Sequence, residues 1–179
     1  MILFILLFYF CHFSLDKMNQ TTLSLLTKLR NDWKNNTQPR NILQLQYDSA
    51  NRSNAPTLNV ISSSDIPKQY YSIIMVDPDA PTASNPIYAD FIHWIRVNMN
   101  IVGGKLVGGE DLLEYMGPSP PKGSGSHHYI TLLIQHDKNS LVNVELSGRA
   151  KQNTSDILRQ IFGSDVYRVV GFNVFTYEL

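Results

Sequence analysis

Two carboxylates separated by one proline, Asp77-Pro78-Asp79, close the apolar run Ile73–Val76, and a further proline follows at Pro81. Carboxylates accept hydrogen bonds, orient a histidine or ligate a divalent metal. An apolar run that breaks into such a pair reads as a buried strand delivering both groups to a loop. The prolines hold φ at about −65° and bias the residues before them towards extended conformations, so that loop has little freedom. The same residue types also make ordinary turns, in which an Asp satisfies nearby backbone N–H groups. An imidazole that could work with these carboxylates is His93, in the alternating stretch Phe91–Met99. Alternation puts Phe91, His93, Ile95 and Val97 on one face and Ile92, Trp94 and Arg96 on the other. On such a face a histidine is also consistent with a satisfied core residue.

The second stretch with chemical potential is Gly117-Pro-Ser-Pro-Pro-Lys-Gly-Ser-Gly-Ser-His-His-Tyr129. A Gly/Ser-rich run can be a flexible linker, but strand-like sequence flanks it on both sides, and Pro120 and Pro121 stiffen it. Glycines let backbone N–H groups approach a ligand closely, and a concave run of such donors binds an anion such as phosphate without a positive side chain. In the strand that follows, His127 and Tyr129 project to one side and His128 to the other. His128 is therefore expected on the strand surface, and Lys122 and His136 in solvent.

These residues need elements to position them. Leu23, Leu26, Leu29 and Trp33 recur at helical spacing behind Thr21 or Thr22 as cap. Period-two patterning predicts strands over 43–47, 58–61 and 91–99, and the apolar run another over 70–76. Residues 129–135 and 141–146 read as a hairpin around the polar turn 136–140. Ser155–Phe162 reads as a short helix stopped by Gly163, and 166–177 as a closing strand with a bulge at Gly171. Many strands without βαβ alternation predict a mainly β, antiparallel fold with a few short peripheral helices.

The chain has 179 residues and no break in composition, so residues 18–179 are read as one domain. Residues 1–17 form an apolar N-terminal extension, with Met18 as an alternative start. The apolar part is shorter than the roughly 20 residues that span a bilayer, and it lacks a basic leader and a small-x-small cleavage site. Signal sequence and anchor are the other readings. Charged residues are 17% of the chain, hydrophobic residues 43%, and the formal charge is zero, which leaves no basic excess for nucleic acid. The single cysteine, Cys11, excludes an internal disulfide and a cysteine-based zinc site. A reducing, cytoplasmic location is expected, with secretion or anchoring if residues 1–13 act as a signal. Sequons at Asn19, Asn35, Asn51 and Asn153 matter only in a secreted chain.

Asp77-Pro78-Asp79-Ala80-Pro81, then His93-Trp94, then Gly117-x-x-Pro120-Pro121-Lys122-Gly123-x-Gly125-x-His127-x-Tyr129 together resemble the phosphatidylethanolamine-binding protein family. The similarity spans about residues 40 to 150, and Phe175-Thr176-Tyr177-Glu178 is similar to the family's last strand. The resemblance implies a β-sandwich with one anion pocket for groups such as the phosphoryl-ethanolamine head. It carries pocket roles onto Asp77, His93, Pro120, His127 and Tyr129, with Gly117 supplying backbone, Phe91 an aromatic wall and Pro121 completing the loop. Asp79 is the second carboxylate, near which an ethanolamine ammonium could lie. Three departures stand out: Ser119 where glycine is usual, Phe91 where a polar aromatic is usual, and a short, reordered end after residue 146.

The expected function is non-enzymatic binding of a phosphorylated small molecule or phospholipid head group. Peripheral membrane contact and regulation of a kinase or protease partner go with it; no cofactor or metal is expected. Two alternatives stay open, a metal-assisted phosphoester hydrolase using Asp77, His93 and His127, and a structural protein with a vestigial pocket. The expected arrangement has Asp77 accepting a hydrogen bond from His93, with the outer nitrogen of His93 and the imidazole of His127 facing the anion.

Overall fold

A computed structural model describes residues 41–48, 52–62, 69–137, 144, 146–163 and 167–179. The helix expected over 23–33, the extension 1–17 and the sequons at Asn19, Asn35 and Asn51 lie outside them. The elements are β1 (Asn41–Gln46), β2 (Thr57–Ser62), β3 (Tyr70–Asp77), β4 (Phe91–Val102), β5 (Lys105–Leu113), β6 (His127–His136), α1 (Thr154–Phe162) and β7 (Tyr167–Tyr177). The strands form one seven-stranded sheet in the order β1-β2-β5-β4-β3-β6-β7, and every pairing is antiparallel. The described strands thus make a single hydrogen-bonded sheet, not the two separate sheets that the sandwich expectation implies. Its outer strands curl towards each other: Asn173 Nδ2–H of β7 donates to the Leu43 carbonyl of β1 over 3.3 Å. This gives a nearly barrel-like shape.

The centre of the sheet is covered on both sides, which is why Ile73–Val76 is a continuous apolar run without alternation. One side buries Ile74, Val76, Ile92, Ile95, Ile130 and Leu132 against Ile157, Leu158, Ile161 and Phe162 of α1. The other buries Ile73, Met75, Trp94, Tyr129 and Leu133 with Leu43, Leu58 and Val60 of β1 and β2. At about 1.5–3 kcal/mol for each large side chain removed from water, these two layers supply most of the drive to fold.

Strand β5 was not anticipated. Its exposed stretch Val107–Asp111 contains Gly108 and Gly109 and lacks the alternation that marks a half-buried strand. It forms because β4 runs on past Met99 and turns at Gly103-Gly104, both at positive φ, into a hairpin. The expected pairing of 129–135 with 141–146 is not found among the described residues: β6 pairs with β3 and β7, and Val144 and Leu146 lie outside strands. Residues 141–143 and 145 are not described. The bulge in β7 falls at Val170, next to Gly171, where the register skips from Gly171 to Val169. Helix α1 forms as expected, capped by Asn153 and stopped at Gly163. Buried Asp90 accepts from the Thr154 hydroxyl over 2.8 Å, tying the β3–β4 connection to the start of α1 and setting a carboxylate at its positive end.

Candidate functional site

Strand β3 ends at Asp77, and the turn after it folds back on that residue, the Asp79 N–H donating to Asp77 Oδ1 over 2.7 Å. The other oxygen, Oδ2, lies 2.7 Å from Nδ1 of His127, the first residue of β6. Both residues are buried. The carboxylate partner is therefore His127 and not His93, correcting the expected Asp77–His93 bond. Antiparallel pairing of β3 with β6 matches Val76 with Ile130, so the C-terminal end of one strand abuts the N-terminal end of the other. Burial raises the pKa of Asp77, and the His127 contact opposes that rise.

The outer nitrogen of His127 is also engaged. Ser124 Oγ–H donates to the Pro121 carbonyl over 2.6 Å, and the same oxygen lies 3.0 Å from His127 Nε2. A hydroxyl carries one proton, and here it is spent on the carbonyl, so the serine oxygen accepts from Nε2–H.

Asp79, proposed from sequence as a ligand contact, is wholly buried, and its Oδ2 accepts from the His128 backbone N–H at 2.8 Å and from His128 Nδ1–H at 2.6 Å. His128 is thus half-buried and held by a carboxylate, not a bare surface residue. Two Asp–His pairs bolt the turn after β3 to the start of β6. His136 departs from expectation too. The strand continues through it into the core, where its Nε2 sits 2.7 Å from Ser72 Oγ beside Phe162.

His93 reaches the same corner by a different device. In the β3–β4 ladder Met75 faces Trp94 and Val76 faces Ile92, so His93 is the extra residue of a β-bulge. A bulge breaks the period of two and re-aims a side chain. His93 consequently leaves the Ile95–Val97 face predicted for it and packs with ring centroids 5.1 Å from Phe91 and 5.0 Å from Tyr129. Its Nδ1–H donates to the Met116 carbonyl over 2.8 Å, which fixes the tautomer. Burial, the Arg149 guanidinium and the neighbouring His127 outweigh that bond and pull the His93 pKa down to about 4. At neutral pH His93 is therefore uncharged, and its Nε2 is a hydrogen-bond acceptor.

Tyr129, buried and stacked 5.2 Å from Phe175, has a hydroxyl whose pKa is raised by burial and by Asp77, against the opposing backbone bond of Ser119. Its proton stays on oxygen as a donor. Phe91 is half-buried beside His93; Pro120 is buried and Pro121 exposed. Gly117 plays a packing part: a Cβ there would sit 2.8 Å from the Arg52 carbonyl oxygen and 3.1 Å from Ser53 Cα. The Arg52 backbone also accepts from the Tyr115 hydroxyl over 2.8 Å, and its guanidinium lies 4.0 Å above the Phe175 ring. Because the obstructing atoms are backbone, no rotamer relieves them, and Gly117→Ala is expected to cost about 1–3 kcal/mol in urea denaturation. A loss below about 0.5 kcal/mol would mean the Arg52 segment yields freely.

Sequence reasoning missed Arg149, whose Nη1–H groups donate to the carbonyls of Ile92 at 3.1 Å and His93 at 3.0 Å, while Nη2–H reaches Glu114 at 2.8 Å. It stabilises the bulge that carries His93. No local pattern marks it, since its partners lie 35 to 57 residues away. Ser124 was part of the quoted loop without a role of its own.

The family model described as Phosphatidylethanolamine-binding protein matches residues 33–175. A Drosophila melanogaster protein described as odorant-binding protein A5 is 31% identical over 149 residues, covering 76% of this chain and 70% of that one. Among solved structures, a carboxypeptidase Y inhibitor complexed with its cognate proteinase superposes with a TM-score of 0.66 at 22% identity, covering 84% of this chain and 92% of the inhibitor. A phosphatidylethanolamine-binding protein from Plasmodium vivax gives 0.60 at 23% identity, over 76% and 84% of the two chains.

Proposed function

The chain belongs to the phosphatidylethanolamine-binding protein family, and from that premise we infer that it binds a singly charged phosphoryl group, free or on a head group, at the corner bordered by His93, His127 and Tyr129. The observation that carries this reading is the convergence of the end of β3, the bulge of β4 and the start of β6, joined by the 2.7 Å Asp77–His127 bond and the 5.0 Å packing of His93 on Tyr129. The corner offers donors at His127 Nε2 and the Tyr129 hydroxyl and an acceptor at His93 Nε2. A monoanion that still carries one P–OH, free phosphate or a phosphomonoester, satisfies both kinds of group, a phosphodiester head group engages the two donors alone, and a dianion sets charge against a lone pair and two buried carboxylates.

The reading is non-catalytic. His127 is held between Asp77 and Ser124, the Ser124 hydroxyl proton is committed to the Pro121 carbonyl and not to the imidazole, and His93 Nδ1 is tied to the Met116 carbonyl, an arrangement that favours holding a ligand over activating a nucleophile. The similarity to a proteinase-bound inhibitor supports a protease as partner class, with a kinase as the alternative. Contact with a membrane surface and a cytoplasmic site of action complete the proposal, with export instead if residues 1–13 act as a signal.

The test is calorimetric titration with phosphoethanolamine and inorganic phosphate between pH 5 and pH 8. Affinity for the monoester is expected to rise as pH falls through its second ionisation near about pH 6, where the monoanion gains the proton that His93 Nε2 accepts. A flat profile, with His127→Ala binding as well as wild type, would sink the assignment.

A further inference from the structure

The outward donor of His127 is already occupied. Nε2–H points at Ser124 Oγ over 3.0 Å, and the serine is held in that posture by its own 2.6 Å bond to the Pro121 carbonyl. The posture is built into the loop. The Ser124 N–H also donates to the Pro121 carbonyl over 3.0 Å, and Gly123, at φ +78, takes the left-handed position that closes a type II turn. Inwardly, the imidazole is anchored by Asp77 at 2.7 Å.

We propose that Ser124 is the residue that sets anion affinity at this site: its hydroxyl oxygen stands where a ligand oxygen would accept from His127 and has to be displaced before a ligand engages that donor. This rests on the binding assignment above. A serine oxygen in that position lets the buried imidazole keep a full set of hydrogen bonds without ligand, because an unmet donor there would carry a desolvation cost. The consequence is competition. Each anion bound through His127 exchanges the neutral hydrogen bond to the serine oxygen for a charge-assisted one to its own oxygen, and the loop acts as a latch that only a stronger acceptor opens.

The experiment compares wild type, Ser124→Ala and Ser124→Thr by titration with inorganic phosphate at pH 7. Ser124→Ala keeps the backbone turn and removes only the competing oxygen, so its dissociation constant is expected to fall about three- to tenfold, the size of one ordinary hydrogen bond. Ser124→Thr retains the hydroxyl and is expected to match wild type. Equal or weaker binding by Ser124→Ala overturns the proposal, since the hydroxyl is then a bystander or a ligand contact. No phosphate binding by any of the three overturns the site assignment itself, and the proposal with it. A second readout needs no ligand: in imidazole 1H–15N spectra the wild-type His127 Nε2 should carry a slowly exchanging proton that exchanges faster in Ser124→Ala. An unprotonated Nε2 in wild type also overturns the latch.

Discussion

Asp77→Ala is expected to lower stability by about 3–5 kcal/mol, the range for removing one member of a buried pair. Both carboxylate oxygens are in use, Oδ1 by the Asp79 N–H and Oδ2 by His127 Nδ1, each at 2.7 Å, and the residue is 3% exposed. Alanine leaves those groups buried without a partner. Asp77→Asn separates shape from charge. Its oxygen still accepts from Asp79, its amide donates to a lone pair on His127 Nδ1, and the Nε2 proton stays in place, so the expected loss is smaller, about 1–3 kcal/mol. Urea denaturation at pH 7 measures both. If alanine lay within about 1 kcal/mol of wild type, Asp77 would not be the pin that joins β3 to β6.

The second large effect is a dependence of stability on pH carried by His93. Its pKa falls from 6.5 to about 4 on folding, so between those values the unfolded chain holds more protons than the folded one. Stability therefore rises with pH across that window: it is at its full value above about pH 6.5 and is lost progressively as pH falls towards 4. At about 1.4 kcal/mol per decade the contribution is on the order of 3 kcal/mol. His93→Asn keeps a donor near the Met116 carbonyl and removes the titration. The expected result is a flatter stability curve from pH 4 to 6.5 than in wild type, read by denaturant midpoints at half-unit steps. An unchanged slope would assign the acid sensitivity to other groups. Ligand binding moves in the opposite sense, since lower pH favours the phosphoryl monoanion, so the best conditions for binding and for stability diverge below about pH 6.

Much of this arrangement is legible in the residues themselves. The apolar run Ile73–Val76 reads as a buried strand, Leu43–Tyr47 announces a half-buried one by its period, and Leu58–Ile61 reads as a short strand. Asn153 and Gly163 mark both ends of α1 for local reasons, a side chain that accepts from the first turn and a glycine that ends it. Strand β5 was invisible for the same kind of reason turned around: its outward stretch buries little, and its strand state is imposed by β4 alongside it.

By itself, then, the sequence determined that a β-rich domain would bring acidic, imidazole and glycine-proline segments to the ends of its strands. Partner choice was another matter. Which histidine meets Asp77, which meets Asp79, and where His93 points depend on the β3–β6 register and on one bulge in β4, and these are settled by contacts between residues roughly 20 to 50 apart along the chain. A period of two assigns faces only while a strand stays regular; once an extra residue enters the ladder, every assignment near it passes to the packing around it.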